Sequence, residues 1–360
     1  MAVGRLVETL TQRIAPLTHE WFPDRPHSGV EVRVLADRPK CVLLTIHLDR
    51  AEVPAAIAKL RREVVGGSGA AARPRLRNEV ATAEQLTLLE WAGLEAIEAA
   101  CGDTAGLGVV RPLLLLRDEA GLVMSFTDAP TLRDVVLDLS RLRRGRGNLD
   151  EVLAGCTLAG RWLRTFQEHA GGSGNPVRQG TREEVVDRIR AYGEFLDSRA
   201  WRGVARKGAD LVTDLLPREL PLTVGHGDFA PRNMLLGEGR LTVLDPLPRW
   251  RVPAYDDLCR FLVGIRLIGE QVHTHGLAFG SGTLDALEDA AVAAYLEPGA
   301  ERAPLRAYQL LILMDKWTAM LDNPRRDVPG RLARRSAALA DHRVRAEAER
   351  LLDLAQRASG

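Results

Sequence analysis

The sequence predicts an α+β fold: a β-rich first part followed by a larger, mainly helical second part. Three observations carry this. Apolar runs bounded by turn residues, the pattern of strands, collect before residue 126. After Phe126 the apolar residues fall into helical period over long segments. One late stretch, residues 221–262, returns to short strands and delivers two carboxylates and an amide at strand ends and a tight loop.

A chain of 360 residues has room for two domains or for one two-lobed domain with large cores. With 46% hydrophobic and 27% charged residues it has the composition of a soluble globular protein. The net charge of +1 points away from a general nucleic-acid binder. Cys41, Cys101, Cys156 and Cys259 are scattered, with no C-x-x-C or Cys/His cluster, so neither a zinc site nor a disulfide framework is indicated. Thiols of this kind fit a reducing compartment, and a cytoplasmic location is expected. Arg5, Glu8 and Arg13 break the opening MAVGRLVETLTQRIAPL before any signal-peptide core forms. No apolar run approaches the length of a membrane span, so neither a membrane nor a nucleic acid is expected as a partner. Of 49 basic residues only Lys40, Lys59, Lys207 and Lys316 are lysines.

Taken in order, Val3, Leu6, Val7, Leu10, Ile14 and Leu17 repeat at helical spacing and predict a leading helix. Residues 28–48 read as two strands about a turn at 36–39. A helix is expected over 53–65, then a flexible linker over 66–74, GGSGAAARP. Helical period returns over 76–100, with Val80, Leu86, Leu89, Ala92 and Ile97 as core candidates. Pro112–Leu116 and Leu122–Phe126 flank a turn and predict a hairpin. Helices are then expected near 131–142, 150–169, 181–199 and 201–216, with connectors at 143–148 and 171–176. Beyond the central stretch, 283–296, 301–322 and 328–357 are helical, the last with the mixed charges of a solvated surface.

In the central stretch the apolar run Leu222–Val224 ends at His226-Gly227-Asp228, and Asn233 follows five residues after Asp228. Two further runs flank Gly237-Glu238-Gly239 as a hairpin, and the second, Leu241–Leu244, ends on Asp245. Strand ends hold oxygen ligands rigidly. This set suits phosphoryl transfer. Mg²⁺ takes hard oxygen ligands, commonly one or two carboxylates plus substrate phosphates. A separate carboxylate must orient the attacking hydroxyl and accept its proton. Asp228 fits the second role, and Asn233 and Asp245 fit the first.

The spacing D-x-x-x-x-N is that of the protein-kinase catalytic loop, with Gly227 where those enzymes carry Arg. Ala230 stands where they often have a Lys. H-G-D-x-x-x-x-N followed by a hairpin and an Asp resembles the aminoglycoside phosphotransferase family of small-molecule kinases. The resemblance implies a protein-kinase-like two-lobed fold, with a small β-rich N-lobe over 1–126 and a larger mainly helical C-lobe over 127–360. It implies that Asp228 is the catalytic group and that Asn233 and Asp245 hold Mg²⁺. His226, Asp256 and Asp257 would support the catalytic loop, one of the two aspartates also capping the helix that follows. The backbone of Ser125, Phe126 and Thr127 would meet adenine, and Arg232 would touch phosphate. The donor would be ATP or GTP, and the acceptor a hydroxyl of a sugar, amino sugar or aminoglycoside bound by residues from 249–330. Asp285, Glu288, Asp289, Asp315 and Asp322 are candidates for an acidic lining that would favour polyamine-like acceptors. His273 and His275 lie two apart, off a common helical face, and are assigned no metal. The oligomeric state is left open.

The pattern departs from the family in the first part. No Gly-rich loop separates the strands near 28–40. Aligning CVLLTIHLDR with the kinase V-A-I-K strand places the expected Lys on Thr45, or on His47 in a shifted register. Lys40 would begin roughly 16 Å away along a strand. Thr45 is therefore the nucleotide-side candidate, with Glu79 first and Glu84 second as the helix acid. This departure keeps open a second reading, a pseudokinase-like binding or regulatory module.

Overall fold

The computed structural model describes residues 3–63, 81–143, 146–170, 174–322 and 330–357. Helix α1 (Val3–Ile14) and the short α2 (Thr18–Trp21) lead into strands β1 (Val30–Arg38), β2 (Cys41–Leu48) and β3 (Ala56–Arg61). Then follow α3 (Ala83–Cys101), β4 (Leu107–Gly108), β5 (Pro112–Leu116) and β6 (Gly121–Ser125). Five of these strands form one antiparallel sheet in the order β1-β2-β3-β6-β5.

The helix expected over 53–65 is not formed: Ala56–Arg61 is a central strand of that sheet. Its alanines, Leu60, Lys59 and Arg61 are good helix formers, but pairing to β2 on one side and β6 on the other overrides local propensity. The alternation then sorts its residues. Ala56, Ala58 and Leu60 join Val42, Leu44, Ile46 and Val123 in a core that Leu6, Leu10 and Ile14 of α1 cover. Ile57, Lys59 and Arg61 face the other way. The first turn also moves. β1 runs on to Arg38 with a bulge between Val34 and Ala36, so the chain reverses at Pro39-Lys40, not over 36–39. The predicted linker 66–74 lies outside the described residues.

After β6 come α4 (Leu132–Asp138), α5 (Leu149–His169), α6 (Arg182–Phe195) and α7 (Arg199–Leu215). Strands β7 (Leu222–Val224), β8 (Met234–Gly237), β9 (Arg240–Val243) and β10 (Arg251–Pro253) break the run. Helices α8 (Asp256–Arg266), α9 (Gly269–His273), α10 (Ser281–Tyr295), α11 (Ala303–Asp322) and α12 (Gly330–Arg357) complete it. β8 and β9 form the expected hairpin, with β4 parallel to β9, and β7 pairs with β10. Thr82 and Thr181 close capping boxes on α3 and α6, each satisfying two main-chain amides.

One large apolar core joins α4–α8, α10, α11 and α12 to the hairpin. Trp162, Phe166 and Phe229 stack within it, directly under the loop that carries Asp228. The molecule is thus a small sheet lobe beside a larger helical lobe. No helix among the described residues is long and apolar enough to cross a membrane.

Candidate active site

The two lobes meet at Lys59. Its ammonium donates to Glu90 Oε1 at 2.9 Å and to Asp245 Oδ1 at 2.8 Å. Glu90 lies on α3, fully buried, and Arg61, two residues along the Lys59 face, bonds its second oxygen. α3 can approach this closely because position 93 is glycine: a Cβ there would stand 2.8 Å from Pro246. Burial raises the Glu90 carboxyl above its ordinary value despite the cations beside it. Burial acts in the same direction on Asp245, but the Lys59 charge outweighs it and holds that carboxyl below the ordinary range. Lys59, in turn, is desolvated, yet its two carboxylates hold its pKa above the normal lysine value.

A strand cation is therefore present, and it is Lys59, not a substitute at Thr45. Thr45 shares the Lys59 face but pairs with Ile57, two residues short of the lysine. Its hydroxyl meets His47 Nε2 at 2.9 Å and lies 3.5 Å from the Arg33 carbonyl. The missed signal is Ala56-Ile57-Ala58-Lys59, close to V-A-I-K and hidden by the helical reading of 53–65. The acid is also corrected. Glu79 lies outside the described residues, Glu84 is exposed in the first turn of α3, and Glu90 takes the position.

The loop after β7 is built around a glycine. Gly227 has φ +91°, and a Cβ there would lie 2.8 Å from the Leu247 carbonyl oxygen. Asp257 accepts from the amides of His226 at 2.5 Å and Gly227 at 3.3 Å, fixing the turn from below. His226 is fully buried and edge-on to Trp162, Phe166 and Phe229, and its Nδ1 accepts from the Asp228 amide at 3.3 Å. Burial, and then the charge of Asp256, push the Asp257 carboxyl up to about 6. The expected helix cap is not made. The cap residue of α8 is Tyr255, with no side-chain bond, and Asp256 sits inside the first turn. An ion network claims its carboxylate instead: Arg178 at 2.9 Å, Arg260 at 2.7 Å and the Tyr308 hydroxyl at 3.0 Å.

Asn233 Nδ2 donates to the carbonyl and to Oδ2 of Asp228, both at 2.9 Å. Its own carbonyl accepts from the Leu244 amide at 2.8 Å, which sets Asn233 beside the strand end carrying Asp245. Arg232 bonds both Asp228 oxygens, at 2.7 and 2.6 Å, so in this state it lies on the carboxylate and not on a phosphate position. Across the cleft, Phe126 donates its amide to the Ala55 carbonyl and Ser125 to that of Arg111, while Thr127 lines a cavity with Leu235 and Thr242.

The acidic acceptor candidates do not gather at Asp228. Glu288 is buried among Arg266, Arg306 and Arg350, Asp285 pairs with Arg266 and Arg350, and Asp289 with Arg302. Asp315 accepts from the Tyr192 hydroxyl at 2.6 Å and lies 3.7 Å from Arg260. Asp322 is outside the residues whose side chains are described.

Residues 83–246, from α3 to just past Asp245, match the sequence profile of the phosphotransferase enzyme family. Over that span, somewhat less than half of the chain, it is similar to this family. No curated protein matches. Among solved structures it resembles a choline/ethanolamine kinase family protein from Mesorhizobium loti, at 14% identity and TM-score 0.53, covering 96% of this chain and 99% of that one. It also resembles a glucosamine kinase solved with glucosamine, ADP and inorganic phosphate, at 16% identity and TM-score 0.56, covering 90% and 83%. A third is the choline kinase from Cryptosporidium parvum, at 9% identity and TM-score 0.57, covering 95% of each chain. At these identities the likeness is one of fold, and the fold of this chain is protein-kinase-like.

A divalent metal, which this family fold implies, suits the residues present. Asn233 spends its amide nitrogen on Asp228, which turns its oxygen the other way. Asp245 is charged and 41% exposed at its side chain. No group of three or more His, Cys, Asp or Glu among the described residues is arranged for a metal. Two hard oxygen donors with an open side match an ion completed by phosphates and water.

Proposed function

We propose that this protein is a phosphotransferase that moves the γ-phosphate of ATP or GTP to a hydroxyl of a small molecule. The observation that carries the reading is the Lys59–Glu90–Asp245 linkage across the cleft. A binding or regulatory module has no need for a lysine desolvated at a metal-ligand carboxylate, so this linkage favours turnover over the pseudokinase-like alternative.

In this reading residues 1–126 form the nucleotide-side lobe and 127–360 the lobe of the catalytic loop and acceptor. The backbone of Ser125–Thr127 meets the base, and Thr45 lies along the same sheet face as Lys59. Lys59, aligned by Glu90, steadies the phosphates. Asn233 and Asp245 would hold Mg²⁺, which when bound would supply charge neutralisation for phosphoryl transfer. Asp228 orients the acceptor hydroxyl and takes its proton late, as phosphoryl transfer requires. Arg232 is released from Asp228 when the acceptor arrives and turns toward phosphate oxygens. His226 and Asp257 hold the loop, with Asp256 anchoring α8 beneath them. Sugars, amino sugars and aminoglycosides form the natural first acceptor panel.

The test is nucleotide binding by calorimetry, then transfer to that panel, for wild type and Asp228→Asn. Wild type is expected to bind Mg-nucleotide and transfer. Asp228→Asn should bind as well but turn over about 10²–10⁴-fold more slowly. Absence of nucleotide binding at millimolar concentration sinks the reading. Binding with no transfer, unchanged by the substitution, hands the case to the binding module.

A further inference from the structure

Near Asp228 the helical lobe brings together Tyr192 on α6, Arg260 on α8 and Asp315 and Lys316 on α11. The carboxylates here are engaged by cations: Asp228 by Arg232, Asp256 by Arg178 and Arg260, and Asp315 by Arg260 together with the Tyr192 hydroxyl. Lys316 is different. No hydrogen bond or ion pair of its ammonium is found among the described residues. Its position is fixed by packing: Gly264 of α8 leaves space in which a Cβ would stand 3.6 Å from Lys316 Nζ and 2.9 Å from Pro231 Cδ. Pro231 is the residue before Arg232 in the Asp228 loop. The ammonium thus lies beside that loop, half-buried. Burial, and then the charge of Arg232, lower its pKa to about 8, against a partial counter-pull from Asp228. Asp315 adds a second partial pull, but neither carboxylate is in direct contact with the ammonium among the described residues, and a partly desolvated charge of this kind gains from a ligand that pairs with it.

We propose that Lys316 selects the acceptor, and that this acceptor carries an oxyanion (a carboxylate, phosphate or sulfate) near the hydroxyl that is phosphorylated. The proposal rests on the phosphotransferase reading above and narrows it. The geometry disfavours amine-bearing acceptors, because the acids that would bind them are already held by arginines. It favours an anion, which meets Lys316 first and Arg232 once that side chain leaves Asp228. A compact, flexible ammonium suits such groups as a point charge where no fixed bidentate geometry is demanded. Selectivity then comes from both sides: attraction of the anion, and repulsion of a cation by Lys316.

The experiment compares matched acceptors on one scaffold: a hexose, its uronic acid, its 6-phosphate, its 6-sulfate and its amino sugar. Calorimetry with a non-hydrolysable ATP analogue and Mg²⁺ reads binding, and coupled ADP release reads kcat and KM. Wild type is expected to prefer at least one oxyanion-bearing member over the parent hexose by tenfold or more in binding, and the three anionic arms separate carboxylate from phosphate and sulfate. Lys316→Met should raise KM for that acceptor at least tenfold with a smaller change in kcat. Lys316→Glu should move the preference toward the amino sugar, and Lys316→Arg should retain the wild-type order, an outcome that a misfolded or purely structural position would not give. Wild type that binds nucleotide but shows no anion preference overturns this proposal and leaves the phosphotransferase reading standing. An equal fall of kcat for every acceptor in Lys316→Met overturns it too, and places the lysine on the transferred phosphate. Failure to bind nucleotide at all overturns the broader reading.

Discussion

Lys59 holds the two halves of the candidate site in one hydrogen-bonded unit. Its ammonium is shared between a buried glutamate and a carboxylate that faces the cleft. An aligned cation at developing charge in a water-poor site is worth about 10²–10³-fold in rate. Lys59→Met is therefore expected to lower kcat by about that factor in a transfer assay, with nucleotide affinity changing less; wild-type kcat in the variant would remove Lys59 from the chemistry. The variant should still fold, because Arg61 leaves a second cation on the other oxygen of Glu90. The lysine was within reach of the sequence, since Ala56-Ile57-Ala58-Lys59 follows the kinase strand pattern. Glu90 was not, because any of several glutamates on α3 satisfies a helical face, and only the close seat of Gly93 on Pro246 selects the one that meets Lys59.

At the scale of elements, the helical lobe depends on pairs of helices brought unusually close. α5 and α10 touch at Gly160, where a Cβ would fall 2.2 Å from the Ala291 carbonyl oxygen. Neither backbone can yield without moving a helix that lies in the central core. Gly160→Ala is expected to destabilise the fold by about 1–3 kcal/mol despite alanine's better helix propensity, measured as a lower urea midpoint at unchanged slope. A neutral or stabilising effect would show that the two helices can separate freely. Most helices, and the β8–β9 hairpin, were legible from periodicity and turn residues. β3 was not, because its helix-forming composition becomes a strand only through partners far along the chain.

Across the whole molecule, a buried charge cluster ties α8, α10, α11 and α12 together through Glu288, which meets Arg266, Arg306 and Arg350. Burial alone would raise its carboxyl, but the three guanidinium groups, Arg306 foremost, bring it down to about 2 from an unfolded value of 4.5. A depressed folded pKa contributes stability above the unfolded value and loses it as pH falls through the folded one. The cluster should therefore hold from neutral pH to about 4.5 and weaken from there toward 2, by about 3 kcal/mol from this group. Chemical denaturation at stepwise lower pH reads the loss. Glu288→Gln should flatten that part of the profile and lower stability at neutral pH, where it leaves buried arginines short of a counter-charge. An unchanged acid slope in Glu288→Gln would show that other carboxylates set it.

The sequence by itself determined the identity and spacing of Asp228, Asn233 and Asp245, the hairpin between the last two, and a strand-rich part before a helical one. These follow from local rules: residue type, turn chemistry and period. Only the tertiary structure decided which lysine and which glutamate face Asp245, that Asp256 joins an ion network in place of capping α8, and that the acids of α10 are already neutralised by arginines. Those facts depend on side chains brought together from segments up to 186 residues apart, and a linear pattern does not encode which of several equivalent charges will meet.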